Sequence, residues 1–157
     1  MTSDFQIVAL GQDQFVHLFA LSDEELAEQG ARRMTVDKRP GYPCRVSLMD
    51  AEIGESVILV PFKHHDVESP YRSSGPIFVR QAAQTARPDL NEIPLMLHHR
   101  LLSVRAYDED GLMRGAKVVE GQALEETIRQ YLDDQAIAYL HLHNAGPGCF
   151  NCAVRRA

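Results

Sequence analysis

Residues 101–119 form the strongest constraint on the fold, because their pattern predicts two β-strands joined by a tight turn. Apolar and more polar side chains alternate along residues 101–107, so Arg105 and Tyr107 share one face and Val104 lies on the other. The turn at residues 108–111 ends in Asp-Gly, which favours hairpins, and residues 112–119 form the returning strand. We therefore expect an antiparallel sheet.

The other predicted elements do not alternate regularly between strand and helix. Strands or extended stretches are predicted at residues 5–10, 32–37, 56–62, 76–80, 137–143 and 150–155, and helices at residues 14–21, 23–29 and 122–133. The second helix has the clearest start, since Ser22 and Glu25 form a capping box. This order favours the α+β class, with a largely antiparallel β-sheet and about three helices packed on it.

Length and charge narrow the class of protein. The chain has 157 residues, which suits one globular domain spanning residues 1–157. Its formal net charge of -6 disfavours nucleic acid as a partner, because phosphate binding needs a basic face. The chain contains no apolar run long enough for a membrane helix, so no membrane association is expected. It starts without the features of a signal peptide, so a cytoplasmic location is expected. The chain could also form a homodimer.

The sharpest local pattern is His141-Leu142-His143-Asn144, followed by Cys149 and Cys152. On a strand, His141 and His143 would project from the same face, roughly 6–7 Å apart. Together with Cys149 they could hold a metal ion, zinc or iron, although the spacing matches no known zinc motif. The alternative is one packed histidine, one exposed histidine and ordinary buried cysteines.

A second interpretation makes Cys149 a catalytic nucleophile. It follows Gly146-Pro147-Gly148, where a sharp turn could expose the sulfur, and His141 or His143 could serve as the base. Cys44 is next to Arg45, which could favour its thiolate, but a buried cysteine beside a surface arginine is the preferred interpretation.

Two histidine pairs and one loop complete the candidates. Neighbouring residues on a strand point to opposite faces, so neither His64-His65 nor His98-His99 is expected to hold one ion, and both pairs are interpreted as surface residues. Residues 64–76 are predicted to be a polar loop, in which Tyr71 could present a hydroxyl group to an anion.

Several segments together resemble a known family: Gly41-Tyr42-Pro43-Cys44-Arg45, residues 69–71 with 75–79, residues 102–108, and residues 141–145 with Gly148-Cys149. The combination resembles a family of short bacterial proteins classed only as a domain of unknown function, from about Phe15 to the C-terminus. The resemblance implies a compact single-domain protein and supplies no activity. It makes eight residues the candidates for a shared site: Cys44, Arg45, Tyr71, Arg105, His141, His143, Asn144 and Cys149.

Three functions follow as hypotheses. The first is a protein, which could be an enzyme, that binds a small polar or anionic molecule in a pocket lined by histidine, arginine and cysteine. It predicts that residues distant in the chain converge in one cleft. The second is a metal-binding domain that uses His141, His143 and Cys149. The third is a non-catalytic interaction module, in which the polar groups scatter and an apolar patch is exposed.

Overall fold

The computed structural model describes residues 3–157, which form two antiparallel sheets and three short α-helices. The strands are β1 (Phe5–Val8), β2 (Arg32–Thr35), β3 (Ser56–His65), β4 (Ser73–Arg80), β5 (Leu101–Tyr107), β6 (Met113–Glu120), β7 (Tyr139–Asn144) and β8 (Phe150–Arg156). The helices are α1 (Asp23–Glu28), α2 (Leu95–His98) and α3 (Leu124–Asp133). The predicted α+β class with antiparallel pairing is confirmed.

The larger sheet has the strand order β1-β8-β7-β5-β6, and the smaller one has the order β2-β3-β4. The predicted hairpin is the β5–β6 pair. The capping box at Ser22 is present, since the Ser22 side chain accepts from the Glu25 backbone and the Glu25 carboxylate accepts from the Ser22 backbone. Both predictions are confirmed because they depend on contacts between near neighbours in the chain.

One face of the larger sheet packs on α3. Leu102, Val104 and Ala106 of β5 join Leu140 and Leu142 of β7 in a single core cluster. The helix contributes its apolar stripe, Leu124, Ile128 and Leu132. Because side chains alternate along a strand, the residues between these core positions project from the opposite face. That second face carries His141, His143 and Arg105.

The smaller sheet has its own apolar cluster. Ile58 and Val60 of β3 and Ile77 and Val79 of β4 pack there with Leu26 of α1. Strand β3 continues to His65 and β4 begins at Ser73, so the predicted loop at residues 64–76 is shorter than expected. These strand ends are polar, so a prediction based on the spacing of apolar side chains does not detect them.

Two of the other predicted helices also differ in detail. Residues 14–21 contain 3₁₀ turns, of which the longer is Val16–Ala20, and α3 begins at Leu124 after a 3₁₀ turn at Gly121–Ala123. Between β4 and β5 the chain also forms α2, which is only one turn long and begins directly after Pro94. Among residues 3–157, no helix is both long and apolar enough to cross a membrane.

Candidate metal centre

Strand β7 presents His141 and His143 on the face of the larger sheet that lies opposite α3. Their ring centroids are 6.4 Å apart, as expected for residues two apart on a strand. In the antiparallel register, His141 pairs with Arg105 and His143 with Ser103 on β5. The two imidazoles are deeply buried, with 6% and 1% of their surface exposed. The strand therefore fixes two of the candidate ligands side by side.

A third histidine, His64, reaches the same place from β3. Its ring centroid lies 5.0 Å from that of His143 and 6.4 Å from that of His141. One nitrogen from each of the three rings lies within 4.8 Å of the others, and within residues 3–157 this is the one such group of potential ligands. We call His64, His141 and His143 the trihistidine cluster.

The interpretation of His64-His65 as surface residues is wrong. His65 is 2% exposed, and His64 is partly buried with its ring stacked on Phe150 at 5.3 Å. The cause is a β-bulge. Between Phe62 and His65 the pairing of β3 with β4 shifts by one residue, so the regular alternation of faces is interrupted. By contrast, His98 and His99 are exposed, as expected.

Each ring of the cluster keeps one nitrogen free. His64 Nδ1, His141 Nδ1 and His143 Nε2 are buried and have no hydrogen-bond partner among the described residues. The other nitrogen of His143, Nδ1, donates to the carbonyl oxygen of Gly148 at 2.9 Å. That bond leaves the lone pair of a neutral His143 on Nε2. A backbone carbonyl that orients a histidine in this way is the usual second shell of a metal ligand.

The electrostatics of the site keep these rings neutral. Burial, with a smaller contribution from neighbouring histidines and the Arg105 guanidinium, lowers the pKa of His141 to about 3 and that of His64 to about 4. Burial likewise lowers the pKa of His143 to about 4, although the bond to Gly148 opposes this. Neutral imidazoles offer lone pairs, which is the form that metals bind.

His65 supports the cluster without offering a free nitrogen. Its Nδ1 donates to the carbonyl oxygen of Tyr71 at 2.9 Å, and its Nε2 accepts from the Tyr139 hydroxyl at 2.6 Å. The ring also packs on Tyr107 at a centroid distance of 4.1 Å. His65 thus joins the loop before β4 to the face of the larger sheet.

Cys149 lies outside the trihistidine cluster and has other partners. Arg45 donates from Nη2 to its Sγ at 3.1 Å, and Asn144 donates from Nδ2 at 3.5 Å. Arg45 itself is buried, not on the surface as expected, and its remaining donors reach the carbonyl oxygens of Phe150 and Pro43. The sulfur therefore has donors of its own and does not belong to the group of three rings.

A cleft of about 850 Å³ has His64 of the trihistidine cluster in its lining, together with Arg45, Asn144 and Cys149. The small-molecule hypothesis predicted that the candidates converge in one cleft, and of the eight, Arg45, Asn144 and Cys149 line this one. Five of the eight candidates are not part of the lining: Cys44, Tyr71, Arg105, His141 and His143. Cys44 is fully buried and its Sγ accepts from the backbone of Ser47 and Arg80, whereas Arg105 lies on the histidine face.

A comparison with known protein families gives a match that includes the whole candidate site. The model of a family described as "Protein of unknown function (DUF1203)" matches residues 41–156. The chain belongs to the DUF1203 family. The resemblance to a domain of unknown function is thereby confirmed, and the matched part of this DUF1203 protein contains the trihistidine cluster and Cys149. No curated protein and no solved structure matched the chain.

His64 is the site residue that sequence analysis missed. The available signal was an imidazole pair at the end of an apolar strand, beside a loop rich in serine, proline and glycine. The rule that strand neighbours point apart led away from it, because a single extra residue in β3 is not visible in an alternating pattern.

Proposed function

We propose that this DUF1203 protein binds a divalent transition metal through His64, His141 and His143. The observation that carries this proposal is that each of the three imidazoles brings a ring nitrogen within 4.8 Å of the other two, and that each ring has a buried nitrogen without a hydrogen-bond partner among the described residues. A buried polar atom without a partner costs about 1–3 kcal/mol. Three such atoms in one cluster of rings are best explained by a ligand that accepts three lone pairs.

The donor set favours zinc. Imidazole suits zinc, copper, nickel and iron, whereas magnesium and calcium require oxygen ligands. Catalytic zinc sites often have three protein ligands and one open position, and a set of three histidines is one of the known arrangements. His64 takes the place that the sequence pattern gave to Cys149, because His64 belongs to the group of rings that converge within 4.8 Å and Cys149 does not.

The cleft supports the second part of the proposal, which is that a small polar molecule reaches the metal. His64 lines the cleft, so a ligand there would approach the metal from the His64 side. The volume of about 850 Å³ suits a small organic molecule. A zinc ion with an open position lowers the pKa of bound water, so hydrolysis or hydration is the reaction class that such a site would support.

The decisive experiment is a measurement of metal binding. Protein purified without a tag, stripped with a chelator and titrated with zinc is expected to bind one equivalent by calorimetry. Single variants His64→Ala, His141→Ala and His143→Ala are expected to lose this binding. The matched control is His17→Ala, because His17 is exposed and does not belong to the cluster. A parent that binds no metal, or equal loss in the control, would contradict the proposal.

A further inference from the structure

A second chemical feature of the molecule is the environment of Cys149. Its sulfur is partly exposed and accepts hydrogen bonds from Arg45 at 3.1 Å and from Asn144 at 3.5 Å. Cys44 and Cys152, in contrast, are fully buried. Among the cysteines, all of which lie within the described residues, Cys149 alone combines access to a cleft with side-chain donors directed at the sulfur.

Arg45 is a buried cation without a carboxylate. Only 1% of its surface is exposed, and within residues 3–157 it makes no ion pair with aspartate or glutamate. The ionisable groups that face it are Cys149, the buried thiol of Cys44 and the cation Arg100. An isolated buried charge is costly unless an opposite charge compensates it. The sulfur of Cys149 is the accessible group that Arg45 contacts.

The orientation of Asn144 adds a second donor. Asn151, which is fully buried, donates from its Nδ2 to the Oδ1 of Asn144 at 2.9 Å. That bond fixes the amide, so that the Nδ2 group of Asn144 faces the sulfur of Cys149. Two donors, one of them charged, thus converge on one sulfur. A thiolate accepts such bonds far better than a neutral thiol does.

We propose that Cys149 is a nucleophile that reacts with a small organic electrophile entering the cleft. In the step, a lone pair of the thiolate Sγ attacks the electrophilic carbon and forms an S–C bond. The bond from that carbon to its leaving group breaks, and the leaving group departs with the electron pair. Arg45 and Asn144 stabilise the thiolate before attack and are positioning residues. The reaction does not require the metal.

The test uses iodoacetamide as the electrophile, on full-length protein that has been stripped of metal. Because two side-chain donors are directed at its sulfur, Cys149 is expected to react about tenfold faster than glutathione at pH 7. Intact mass should show a single carboxamidomethyl group, and peptide mapping should place it on Cys149. The buried Cys44 and Cys152 are internal controls that stay unmodified in the folded protein.

Two variants distinguish a positioning role of Arg45 from a general effect of removing an arginine. Arg45→Met is expected to bring the rate to that of glutathione or below, whereas Arg114→Met, on the exposed side of β6, should keep the rate of the parent. If Arg45→Met fails to fold, the test rests on the alkylation rate of the parent protein divided by that of glutathione. A ratio of one or less would overturn the proposal.

The metal-loaded protein distinguishes this proposal from the previous one. Alkylation at the same rate with and without zinc supports a nucleophile that acts independently of the trihistidine cluster. Complete protection of Cys149 from alkylation by one equivalent of zinc, with the protection lost again in His64→Ala, would overturn the proposal. The sulfur would then be a metal ligand. Failure of zinc binding would leave the alkylation result unaffected.

Discussion

At the scale of single residues, the difference between His64 and His65 lies in their hydrogen bonds. His65 uses both ring nitrogens, one toward the Tyr71 carbonyl and one toward the Tyr139 hydroxyl. His64 has a buried Nδ1 without a partner among the described residues and belongs to the group that could hold a metal. Adjacent residues of the same type thus have different expected roles, structural for His65 and ligand for His64.

Substitution of the two neighbours should separate these roles. His64→Ala is expected to weaken zinc binding by about 100-fold or more, since even loss of an outer-shell partner costs 10–100-fold. His65→Ala should lower the unfolding temperature, because it removes two partly buried hydrogen bonds, and should leave one zinc site per chain. Calorimetric titration and thermal unfolding of both variants check this. Equal loss of zinc in both would contradict the assignment.

Gly121 offers a test of the packing between α2 and the start of α3. A Cβ atom at this position would lie 2.0 Å from the carbonyl oxygen of Leu97 and 2.7 Å from the carbonyl carbon of His98. Because both neighbours are backbone, Gly121→Ala is expected to destabilise the fold by about 3 kcal/mol, as measured by urea unfolding. The control is Gly146→Ala, where a Cβ would meet nothing within 4 Å.

At the scale of elements, β-bulges shape the site. One lies in the β3–β4 pair between Phe62 and His65, and another lies in the β7–β8 pair between Leu142 and His143. Each adds one residue to one strand and redirects the side chains that follow. The first brings His64 and His65 to the same region, and the second lies beside His143. The trihistidine cluster therefore depends on irregular pairing within regular sheets.

Deletion of Lys63 is a direct test of the first bulge. Removing one residue is expected to restore regular pairing of β3 with β4, so that His64 and His65 fall on opposite faces. Zinc binding by calorimetry should then be lost, while the far-ultraviolet circular dichroism of the sheets is retained. The matched control is Lys63→Ala, which removes an exposed side chain and keeps the bulge. Wild-type zinc affinity in the deletion variant would show that the bulge is not needed.

At the scale of the whole molecule, the cluster joins two sheets that have separate apolar cores. His64 belongs to the smaller sheet, and His141 and His143 belong to the larger one. Three neutral imidazoles at this junction, two of them buried and that of His64 partly buried, couple the stability of the fold to pH. A metal bound to all three would stabilise the folded state, because the unfolded chain lacks the preformed site.

The metal-free protein is expected to lose stability as the pH falls from about 6.5 to about 4. An unfolded histidine binds a proton below its ordinary pKa of 6.5, whereas the folded state holds the pKa of His141 at about 3 and that of His143 at about 4. In this window the unfolded state binds more protons, so the free energy of unfolding decreases with decreasing pH. Thermal unfolding at several pH values measures the effect.

The variant His141→Gln serves as the control for this pH dependence, since glutamine does not titrate. Its unfolding temperature should fall less steeply than that of the parent between pH 6.5 and 4. Carboxylates such as Asp108, whose pKa is lowered by backbone hydrogen bonds from Leu112 and by Arg114, contribute equally to both proteins and cancel in the comparison. Identical slopes would contradict a contribution from the cluster.

The sequence by itself determined the features that depend on local contacts. The capping box at Ser22, the β5–β6 hairpin and the paired projection of His141 and His143 all follow from near neighbours and strand periodicity. Each is a case in which the local pattern and the final fold agree. Two of the three proposed metal ligands, together with Cys149, could therefore be identified from the amino-acid sequence alone.

Only the tertiary structure decided which other residues join them. His64 reaches the cluster because one extra residue bends β3 and because the smaller sheet meets the histidine face of the larger one. Arg45 reaches Cys149 from a segment 104 positions away in the chain. Such contacts arise from packing between distant elements, and strand periodicity carries no information about which distant side chains will meet.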